Sequence, residues 1–413
     1  MARLLPVKYI LRQPCYIYIF LTTSSVLFVM HLKYQQISKE MPGKLGVSYA
    51  SFQLDLGTGQ SIANYFERKS QLMKRSPFKT VLPREFQRAS NKTLFLIYAY
   101  TKHRQFCRKY NSESFCLSTC PFRNCQFTCD TSLIRRADAI IMFYSHLNYD
   151  KLFDLAVYRN PNQLWLLWHD EPYATAPVYN KFLFNWTMSY RLDSEVSVAT
   201  YGVTHVRNES INQIVFAKWI DENYKNRHNE AVWFVSNCNS QKRLHFYGQL
   251  KQHFPISAFG KCINNQTNDS HKCVRGSQCE LEKLSTSKFY LAFESTTLRR
   301  DYITEKFWRS LSLGAIPIVL GPKRQSYERI APPNSFIYAQ DYSDFITLAK
   351  HLNDVATNRQ KYEKYHAWKI NYETRYLSRD VEPIRFCELC YRLNKNKDRI
   401  WYSNVNKYFL EID

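Results

Sequence analysis

Residues 289–321 read FYLAFESTTLRRDYITEKFWRSLSLGAIPIVLG, and this stretch decides the fold that we expect. A short apolar run rich in β-favouring residues ends at Glu294, and a helix is predicted from about Thr304. Gly314 lies where a helix C-terminus needs a residue that tolerates positive φ, and a second apolar run follows at 315–320. This order predicts a strand, a helix and a parallel strand, which is the unit of an α/β domain.

The loop and the helix start inside this stretch are candidates for ligand binding. Ligands of α/β domains bind beyond the carboxyl ends of parallel strands, and a helix N-terminus there suits a phosphate. Lys306 would add a full positive charge in the first turn, and Glu305 could accept hydrogen bonds from ribose hydroxyls. The spacing alone supports equally well a strand–helix–strand unit whose charges are merely solvated.

The same alternation of apolar strands and helices covers most of the chain. The predicted strands are 92–99, 137–144, 163–168, 231–236, 288–293 and 315–320. The predicted helices are 150–158, 241–253, 304–313 and 341–354. A polar stretch at 221–230 is the predicted linker between two α/β halves.

An apolar N-terminal segment directs the chain into the secretory pathway. Residues 15–32 contain no Asp, Glu, Lys or Arg, and their length is just enough to cross a thin bilayer as a helix. Arg3, Lys8 and Arg12 precede the segment, which favours a cytoplasmic N-terminus and a lumenal remainder. A cleaved signal peptide is the alternative, although residues 31–34 lack the small-residue pattern that cleavage needs.

Sequons and cysteines agree with this location. Five sequons occur, at Asn91, Asn185, Asn208, Asn265 and Asn268. Eleven of the twelve cysteines follow the apolar segment, and in an oxidising lumen we expect disulfides among Cys107, Cys116, Cys120, Cys125, Cys129, Cys238, Cys262, Cys273, Cys279, Cys387 and Cys390. Zinc binding by the cysteines of 107–129, or a zinc or redox site at 387–390, is the alternative. The sequence does not give the connectivity.

The charge balance narrows the class of partner. The formal net charge is +22, which attracts polyanions. The basic residues are spread along the chain rather than forming a Lys/Arg block, and a lumenal location argues against nucleic acid. An anionic cosubstrate is the more specific expectation.

The stretch at 289–321 resembles the signature of the α1,3-fucosyltransferases, glycosyltransferase family 10. The matching residues are DYITEKFW with the glycine and proline that follow. The resemblance implies that Tyr302, Glu305 and Lys306 contact the GDP part of GDP-fucose and that Glu294 lies near the fucose. One departure is FEST in place of the family's FENS, so that Ser295 stands where the family usually has Asn.

Further likeness extends over residues 90–390. VSNCN at 235–239 followed by Arg243, FGKC at 259–262, and FNWTMSYRLDS at 184–194 resemble family segments. By this resemblance Arg243 pairs with the diphosphate, a role that suits a planar guanidinium.

Two adjacent acids are candidates for the catalytic base. An inverting transferase needs one carboxylate to deprotonate the acceptor hydroxyl. Residues 169–172 read HDEP where the family has ESP with Glu as the base. Alignment on the proline favours Asp170, whereas residue type favours Glu171, which we prefer. Two neighbouring acids on an extended segment point to opposite sides, so that only one faces a cleft.

No metal site is predicted, because the chain contains no Asp-X-Asp motif. Lys306, Arg243 and a helix N-terminus could neutralise the leaving diphosphate instead. We expect no obligatory cofactor, with GDP-fucose as cosubstrate and a divalent cation at most stimulating GDP release.

The resemblance implies a pair of Rossmann-type domains facing a cleft, as in the GT-B fold, on a single-pass type II Golgi membrane protein. The expected segments are a cytoplasmic tail 1–14, an anchor 15–32, a stem 33–90, an acceptor-side domain 91–225, a donor domain 226–390 and a C-terminal tail 391–413. The expected activity is α1,3-fucosyl transfer to GlcNAc of a glycoprotein glycan. Transfer to protein hydroxyls and an inactive lumenal glycan-binding protein remain the alternatives.

Overall fold

The computed structural model describes residues 54–72, 77–81, 92–101, 106, 110, 117–157, 159–263, 273, 276–296 and 299–412. The residues from Tyr49 to Asp413 form one compact unit. The predicted anchor at 15–32 lies outside the described residues. Within them, no helix combines the length and the apolar character needed to cross a membrane.

Two parallel five-stranded sheets dominate this unit. The strands are β1 (Lys79–Val81), β2 (Phe95–Tyr100), β3 (Cys125–Thr128), β4 (Ala139–Phe143), β5 (Leu164–His169), β6 (Trp186–Ser189), β7 (Val203–Val206), β8 (His228–Phe234), β9 (Ile256–Phe259), β10 (Ser287–Phe293), β11 (Ile316–Leu320), β12 (Ile337–Tyr338), β13 (Tyr372–Arg375) and β14 (Ile400–Tyr402). The first sheet has the order β3-β2-β4-β5-β6, and the second has the order β12-β11-β10-β8-β9. Neighbouring strands in both sheets run parallel. Strand pairs β1–β14 and β7–β13 form antiparallel ribbons.

Helices connect and cover the strands. They are α1 (Gly59–Leu72), α2 (Tyr149–Val157), α3 (Gln213–Asn226), α4 (Gln241–Leu250), α5 (Gln278–Thr286), α6 (Glu305–Leu313), α7 (Arg324–Glu328), α8 (Phe345–Thr357), α9 (Arg359–Lys364), α10 (Ser378–Lys395) and α11 (Val405–Leu410). Short 3₁₀ helices lie at Thr131–Leu133, Tyr144–His146, Pro177–Phe182, Ala339–Asp341 and Ala367–Ile370.

Both faces of each sheet are buried. Successive side chains of a strand point to opposite faces. On β4, Ala139 and Ile141 join the apolar cluster on one face, whereas Ile140 and Met142 join the cluster on the other. The second sheet likewise has an apolar cluster on each face. This burial explains why the strands read as continuous apolar runs in the sequence.

The α/β class and the parallel strands predicted from the sequence are confirmed. The helix expected at 304–313 is α6, which starts after the extended N-cap residue Thr304. It ends at Gly314, whose φ of 81° lies in the left-handed region as predicted.

Part of the predicted stem at 33–90 is instead folded domain. Helix α1 lies within that range, and its Ile62 and Phe66 are fully buried in the cluster on one face of the first sheet. The sequence did not reveal this helix because its apolar stripe is narrow and its other residues are mostly polar.

The predicted linker at 221–230 is also ordered secondary structure. It comprises the end of α3 and the start of β8, and Phe216 and Ile220 of α3 are buried in the core of the second sheet. Most polar residues of this stretch are exposed or half-buried, whereas Arg227 is buried and donates to the carbonyls of Leu284 and Ser287.

The C-terminal residues return to the first sheet. Helix α10 packs on one face, and Tyr402, Val405 and Tyr408 are buried on the other. The expected tail at 391–413 is therefore part of the core of the first sheet, and the chain crosses between the two halves twice.

Four disulfides join the described cysteines. Two of them, Cys120–Cys387 and Cys125–Cys390, tie α10 to the edge of the first sheet. The others are Cys238–Cys262 and Cys273–Cys279, and Cys129 is disulfide-bonded as well. The predicted disulfides are thus confirmed for these residues, and the cysteines of 387–390 bond to the first sheet rather than to each other. Cys107 and Cys116 lie outside the described residues.

Removing a long-range disulfide should destabilise the protein more than removing a short one. The Cys120–Cys387 bond closes a loop of 267 residues, whereas Cys273–Cys279 closes one of 6 residues. We expect removal of both long-range bonds, in Cys120→Ala/Cys125→Ala/Cys387→Ala/Cys390→Ala, to lower the free energy of unfolding by about 2–5 kcal/mol, since the loop entropy of the unfolded chain rises with loop length. Both bonds are removed together because Cys125–Cys390 alone would keep nearly the same loop closed. Chemical denaturation of this variant and of Cys273→Ala/Cys279→Ala measures the difference. An equal or larger loss for Cys273→Ala/Cys279→Ala would contradict the expectation.

Candidate active site

The candidate site lies where the carboxyl ends of β5 and β10 are followed by two loops. We call residues 170–176 the β5 loop, and residues 294–304, of which 297 and 298 are not described, the β10 loop. Parallel α/β sheets bind ligands at this edge, because loops and helix N-termini converge there. The sequence prediction placed its candidate bases in the first loop and its donor contacts in and after the second, apart from Arg243 on α4.

Glu294 is the first residue of the β10 loop and is completely buried. Its carboxylate accepts hydrogen bonds from the backbone N–H of Thr304 at 2.8 Å and from the Thr304 hydroxyl at 2.9 Å. Burial raises the pKa of Glu294, although Lys306 and Thr304 act in the opposite direction. Glu294 thereby fixes the start of α6 at the end of β10.

Lys306 brings a positive charge to the same point. Its Nζ lies 3.2 Å from the Glu294 carboxylate, 2.7 Å from the Thr304 hydroxyl and 3.9 Å from the Glu305 carboxylate. Burial acts to lower the pKa of Lys306, but the two carboxylates outweigh it and the pKa is raised. The ammonium is therefore held charged beside the first turn of α6.

Arg243 of α4 supplies a second cation. One terminal nitrogen donates to the carbonyl of Asn237 at 2.6 Å and the other to the carbonyl of Phe293 at 3.4 Å. Its side chain is buried, and among the described residues its Nε has no hydrogen-bond partner. The guanidinium is thus anchored at the end of β10, and its Nε–H has no partner among the described residues.

Tyr302 connects the β10 loop with the β5 loop. Its ring packs edge-on against Tyr190 at 5.0 Å and Tyr201 at 6.2 Å, and its side chain is buried. Its hydroxyl donates to the Glu171 carboxylate at 3.4 Å. Tyr302, which was predicted to contact the sugar nucleotide, therefore hydrogen-bonds to Glu171, the predicted base, and this contact joins the two halves of the molecule.

Asp301 sets the position of Tyr302. It is buried with φ at 60°, a left-handed conformation that Asp tolerates better than most residues. Its carboxylate accepts from the backbone N–H of Leu192 at 3.1 Å and from the Ser326 hydroxyl at 2.8 Å. Leu192 belongs to the first half and Ser326 to the second, so that one side chain joins both.

The two adjacent acids of the β5 loop have different surroundings. Both carboxylate oxygens of Asp170 bind Arg385, at 2.6 and 2.8 Å, and the Trp168 indole N–H also donates to Asp170. The side chain of Glu171 is exposed, and among the described residues no cation pairs with it. Desolvation raises the pKa of Glu171, the Tyr302 hydroxyl lowers it and the charge of Asp170 raises it.

Arg299 and Arg385 are site residues that the sequence prediction missed. Arg299 donates to the Pro172 carbonyl in the β5 loop at 3.1 Å and to the Leu410 carbonyl at 2.8 Å. Arg385 reaches Asp170 over a separation of 215 residues. No local sequence pattern indicates either contact, because each depends on how the C-terminal residues return to the first sheet.

Within the described residues, no three His, Cys, Asp or Glu side chains converge in a way that could hold a metal ion. The expectation of metal-independent chemistry stays a prediction.

The two described sequons differ in their geometry. Asn185 accepts from the backbone N–H of Trp165 and donates its amide nitrogen to the Ile400 carbonyl, both at 2.9 Å, and Thr187 of its sequon is fully buried. Asn208 is exposed. This geometry argues against the predicted glycosylation of Asn185. Asn91, Asn265 and Asn268 lie outside the described residues.

Comparisons with known proteins extend over both sheets. Residues 90–202 match the N-terminal domain of fucosyltransferases, and residues 224–408 match the C-terminal domain of glycosyltransferase family 10 (fucosyltransferase). The chain is similar to alpha-(1,3)-fucosyltransferase 7 of Bos taurus, with 33% identity over 290 residues that cover 69% of this chain and 78% of that protein. It is 30% identical over 304 residues to 4-galactosyl-N-acetylglucosaminide 3-alpha-L-fucosyltransferase 9 of Homo sapiens, covering 72% of this chain and 79% of that protein. A crystal structure of α1,3-fucosyltransferase aligns with a TM-score of 0.46 and 17% identity over 75% of this chain and 93% of that one.

Loss of the Lys306 charge should weaken binding of GDP. A hydrogen bond to a charged group contributes about 1.5–3 kcal/mol, so we expect Lys306→Met to raise the Kd for GDP by about tenfold or more. Calorimetric titration measures this, with Lys350→Met on the exposed side of α8 as the matched control. An unchanged Kd in Lys306→Met would exclude Lys306 from the donor site.

Glycan occupancy should follow the geometry of the sequons. We expect a glycan on Asn208 and none on Asn185, because the Asn185 amide nitrogen is engaged inside the fold. Glycopeptide mass spectrometry of the secreted protein, with Asn208→Gln and Asn185→Gln as paired variants, measures both sites. A glycan on Asn185 would contradict the hydrogen bonding described here.

Proposed function

This chain belongs to the fucosyltransferases of glycosyltransferase family 10, and we propose that it moves L-fucose from GDP-β-L-fucose to a GlcNAc residue of a glycoprotein glycan in α1,3 linkage with inversion. The observation that carries the proposal is the meeting of Glu171 with Tyr302 across the two loops. It brings one accessible carboxylate next to a cluster of cations at a helix N-terminus, as a single displacement needs.

On the donor side, Arg243, Lys306 and the N-terminus of α6 would face the diphosphate. The Nε of Arg243 and the charge of Lys306 suit phosphate oxygens, and the N-terminus of α6 adds the positive end of the helix dipole. These groups are held in place before the donor arrives, so that they can neutralise the charge that develops on the leaving GDP.

Glu294 would orient the cations and the fucose together. Its carboxylate is occupied by Thr304 and Lys306, so it acts through Lys306 and the start of α6. Glu305 lies in the first turn of α6 and would accept hydrogen bonds from the ribose, as the family resemblance implies.

On the acceptor side, Glu171 would accept the proton of the attacking hydroxyl. The hydroxyl oxygen forms the new bond to the anomeric carbon of fucose while the bond from that carbon to GDP breaks. The proton goes to the Glu171 carboxylate, and the electron pair leaves with GDP. Asp170 is less suited to this role because Arg385 holds both of its oxygens.

The name of the human relative points to a 4-galactosyl-N-acetylglucosaminide acceptor, which makes N-acetyllactosamine the first acceptor to test. The HDEP and FEST departures leave core GlcNAc and protein hydroxyls as further acceptors for the same assay.

We further propose that the catalytic unit lies in the Golgi lumen behind a single-pass type II anchor. The apolar segment at 15–32 and the preceding basic residues support this placement, and the disulfides suit an oxidising compartment.

The test of the function is a transfer assay. Residues 49–413 would be secreted from cultured cells and incubated with GDP-fucose and N-acetyllactosamine, N-glycopeptides or folded protein acceptors, with and without EDTA. We expect fucose on a GlcNAc-containing acceptor and retention of activity in EDTA. Binding of glycans without transfer or hydrolysis of GDP-fucose would instead support the inactive glycan-binding protein.

Variants of Asp170 and Glu171 should differ in kcat in this assay. We expect Glu171→Gln to lower kcat by about 10²–10⁴-fold with an unchanged Kd for GDP, because the base is lost and the donor site is not. The exposed Asp154→Asn on α2 is the control. A greater loss of kcat in Asp170→Asn than in Glu171→Gln would assign the base to Asp170.

A further inference from the structure

We propose that Arg385 is a positioning residue of the transfer reaction, which cancels the charge of Asp170 and so keeps Glu171 available as the base. The inference rests on the proposed function and adds to it a residue on α10, far along the chain from both loops. Arg385 itself acts only through Asp170.

The contact between Arg385 and Asp170 is a two-point ion pair. The two terminal nitrogens of Arg385 donate to the two carboxylate oxygens of Asp170 at 2.6 and 2.8 Å. The Arg385 side chain is only 3% exposed, so that solvent does not screen the pair as it does at a surface. The guanidinium also lies over the Trp168 ring, 4.8 Å from its centroid, and the indole N–H of Trp168 donates to the same carboxylate. The Asp170 carboxylate, whose side chain is 23% exposed, thus accepts hydrogen bonds from both Arg385 and Trp168.

The helix that carries Arg385 cannot shift easily. Phe386, the next residue, is fully buried in the core of the first sheet. Cys387 and Cys390 bond to Cys120 and Cys125 at the edge of that sheet. The guanidinium is therefore held at a fixed place relative to β5, and the two disulfides contribute directly to the geometry of the β5 loop.

The backbone of Asp170 is fixed from a second side. The Tyr201 hydroxyl donates to the Asp170 carbonyl. Because both the carboxylate and the carbonyl of Asp170 are hydrogen-bonded, the peptide bond between Asp170 and Glu171 has little freedom to rotate. The Glu171 side chain is consequently directed towards Tyr302 rather than back towards β5.

The charges around Glu171 explain why the pairing of Arg385 with Asp170 affects the ability of Glu171 to accept a proton. Desolvation is the largest influence on the pKa of Glu171 and raises it. The charges of Asp170 and Glu305 also raise this pKa, whereas the Tyr302 hydroxyl and the Lys306 ammonium lower it. Without Arg385, the charge of Asp170 would have no counter-charge, and the two neighbouring carboxylates would face Glu171 with only Lys306 to balance them. Like charges this close raise the pKa of a carboxylate, and a protonated Glu171 cannot accept the acceptor proton.

Three variants separate a charge effect from a merely structural one. Removal of the cation in Arg385→Gln should raise the pKa of Glu171 and move the acid limb of the kcat profile to higher pH by about one unit. Removal of the anion in Asp170→Asn leaves a cation beside Glu171 and should move the limb to lower pH. The double variant removes both charges and should return the limb close to its wild-type position.

The experiment measures kcat from pH 5 to 9, in about half-unit steps, for the transfer reaction of each variant. Below the acid limb, Arg385→Gln should be about tenfold slower than the wild type, and the difference should shrink on the alkaline plateau. Arg379→Gln on the same helix, whose side chain is 78% exposed, is the matched control and should retain the wild-type profile. The Kd for GDP and the melting temperature of each variant show whether it is folded and binds the donor.

The outcomes are distinct. The inference is supported if the two single variants displace the acid limb of the kcat profile in opposite directions and the double variant restores it. A uniform loss of kcat at every pH, or an acid limb in the same place in all three variants, would overturn it while leaving the proposed function intact. A wild-type protein that transfers no fucose would refute the proposed function itself. If Arg385→Gln alone fails to fold, the comparison of Asp170→Asn with the double variant still decides, since the inference predicts different limbs for those two.

Discussion

The buried carboxylate of Asp301 joins the two halves of the molecule at the point where their loops meet. It accepts one hydrogen bond from the backbone of Leu192 in the first half and one from the hydroxyl of Ser326 in the second. The left-handed backbone of Asp301 then turns the chain so that Tyr302 faces Glu171. Since a buried carboxylate left without these donors costs free energy, the two halves are held in the one arrangement that satisfies it.

Charge pairing in the site follows a consistent pattern. The buried carboxylate of Glu294 and the partly exposed carboxylate of Asp170 each have a cation of their own, Lys306 and Arg385. The carboxylate of Glu171 has a hydroxyl rather than a cation, and the Nε of Arg243 has no partner among the described residues. The paired groups give the loops their shape, and the other two are the groups that we propose accept the acceptor proton and bind a phosphate oxygen.

Sequence patterns predicted the elements whose causes are local. The unit at 289–321 was predicted correctly because its strands are apolar on both faces and its helix ends at a glycine with positive φ. The family resemblance then pointed to Glu294 and Tyr302, of which Glu294 binds the start of α6 and Tyr302 hydrogen-bonds to Glu171. The resemblance could not choose between the two acids at 170 and 171.

The features that the sequence did not reveal depend on contacts between distant residues. The ion pair of Arg385 with Asp170 spans 215 residues, and helix α1 becomes recognisable only by its burial against the first sheet. The C-terminal segment looked like a tail because its polar residues outnumber its buried ones, yet Tyr408 is fully buried. Such contacts are set by the path of the chain between the two halves, for which a local pattern carries no information.

The configuration of the first product tests most directly whether one carboxylate drives a single displacement. Proton NMR of the reaction mixture, recorded as fucose leaves GDP-β-L-fucose, identifies the anomer of the newly formed glycoside before any further change. We expect an α-linked fucoside from the first turnover, because in the proposed mechanism Glu171 activates the acceptor and forms no bond to the sugar. A β-linked fucoside as the first product would require two displacements through a covalent intermediate and would contradict the role assigned to Glu171.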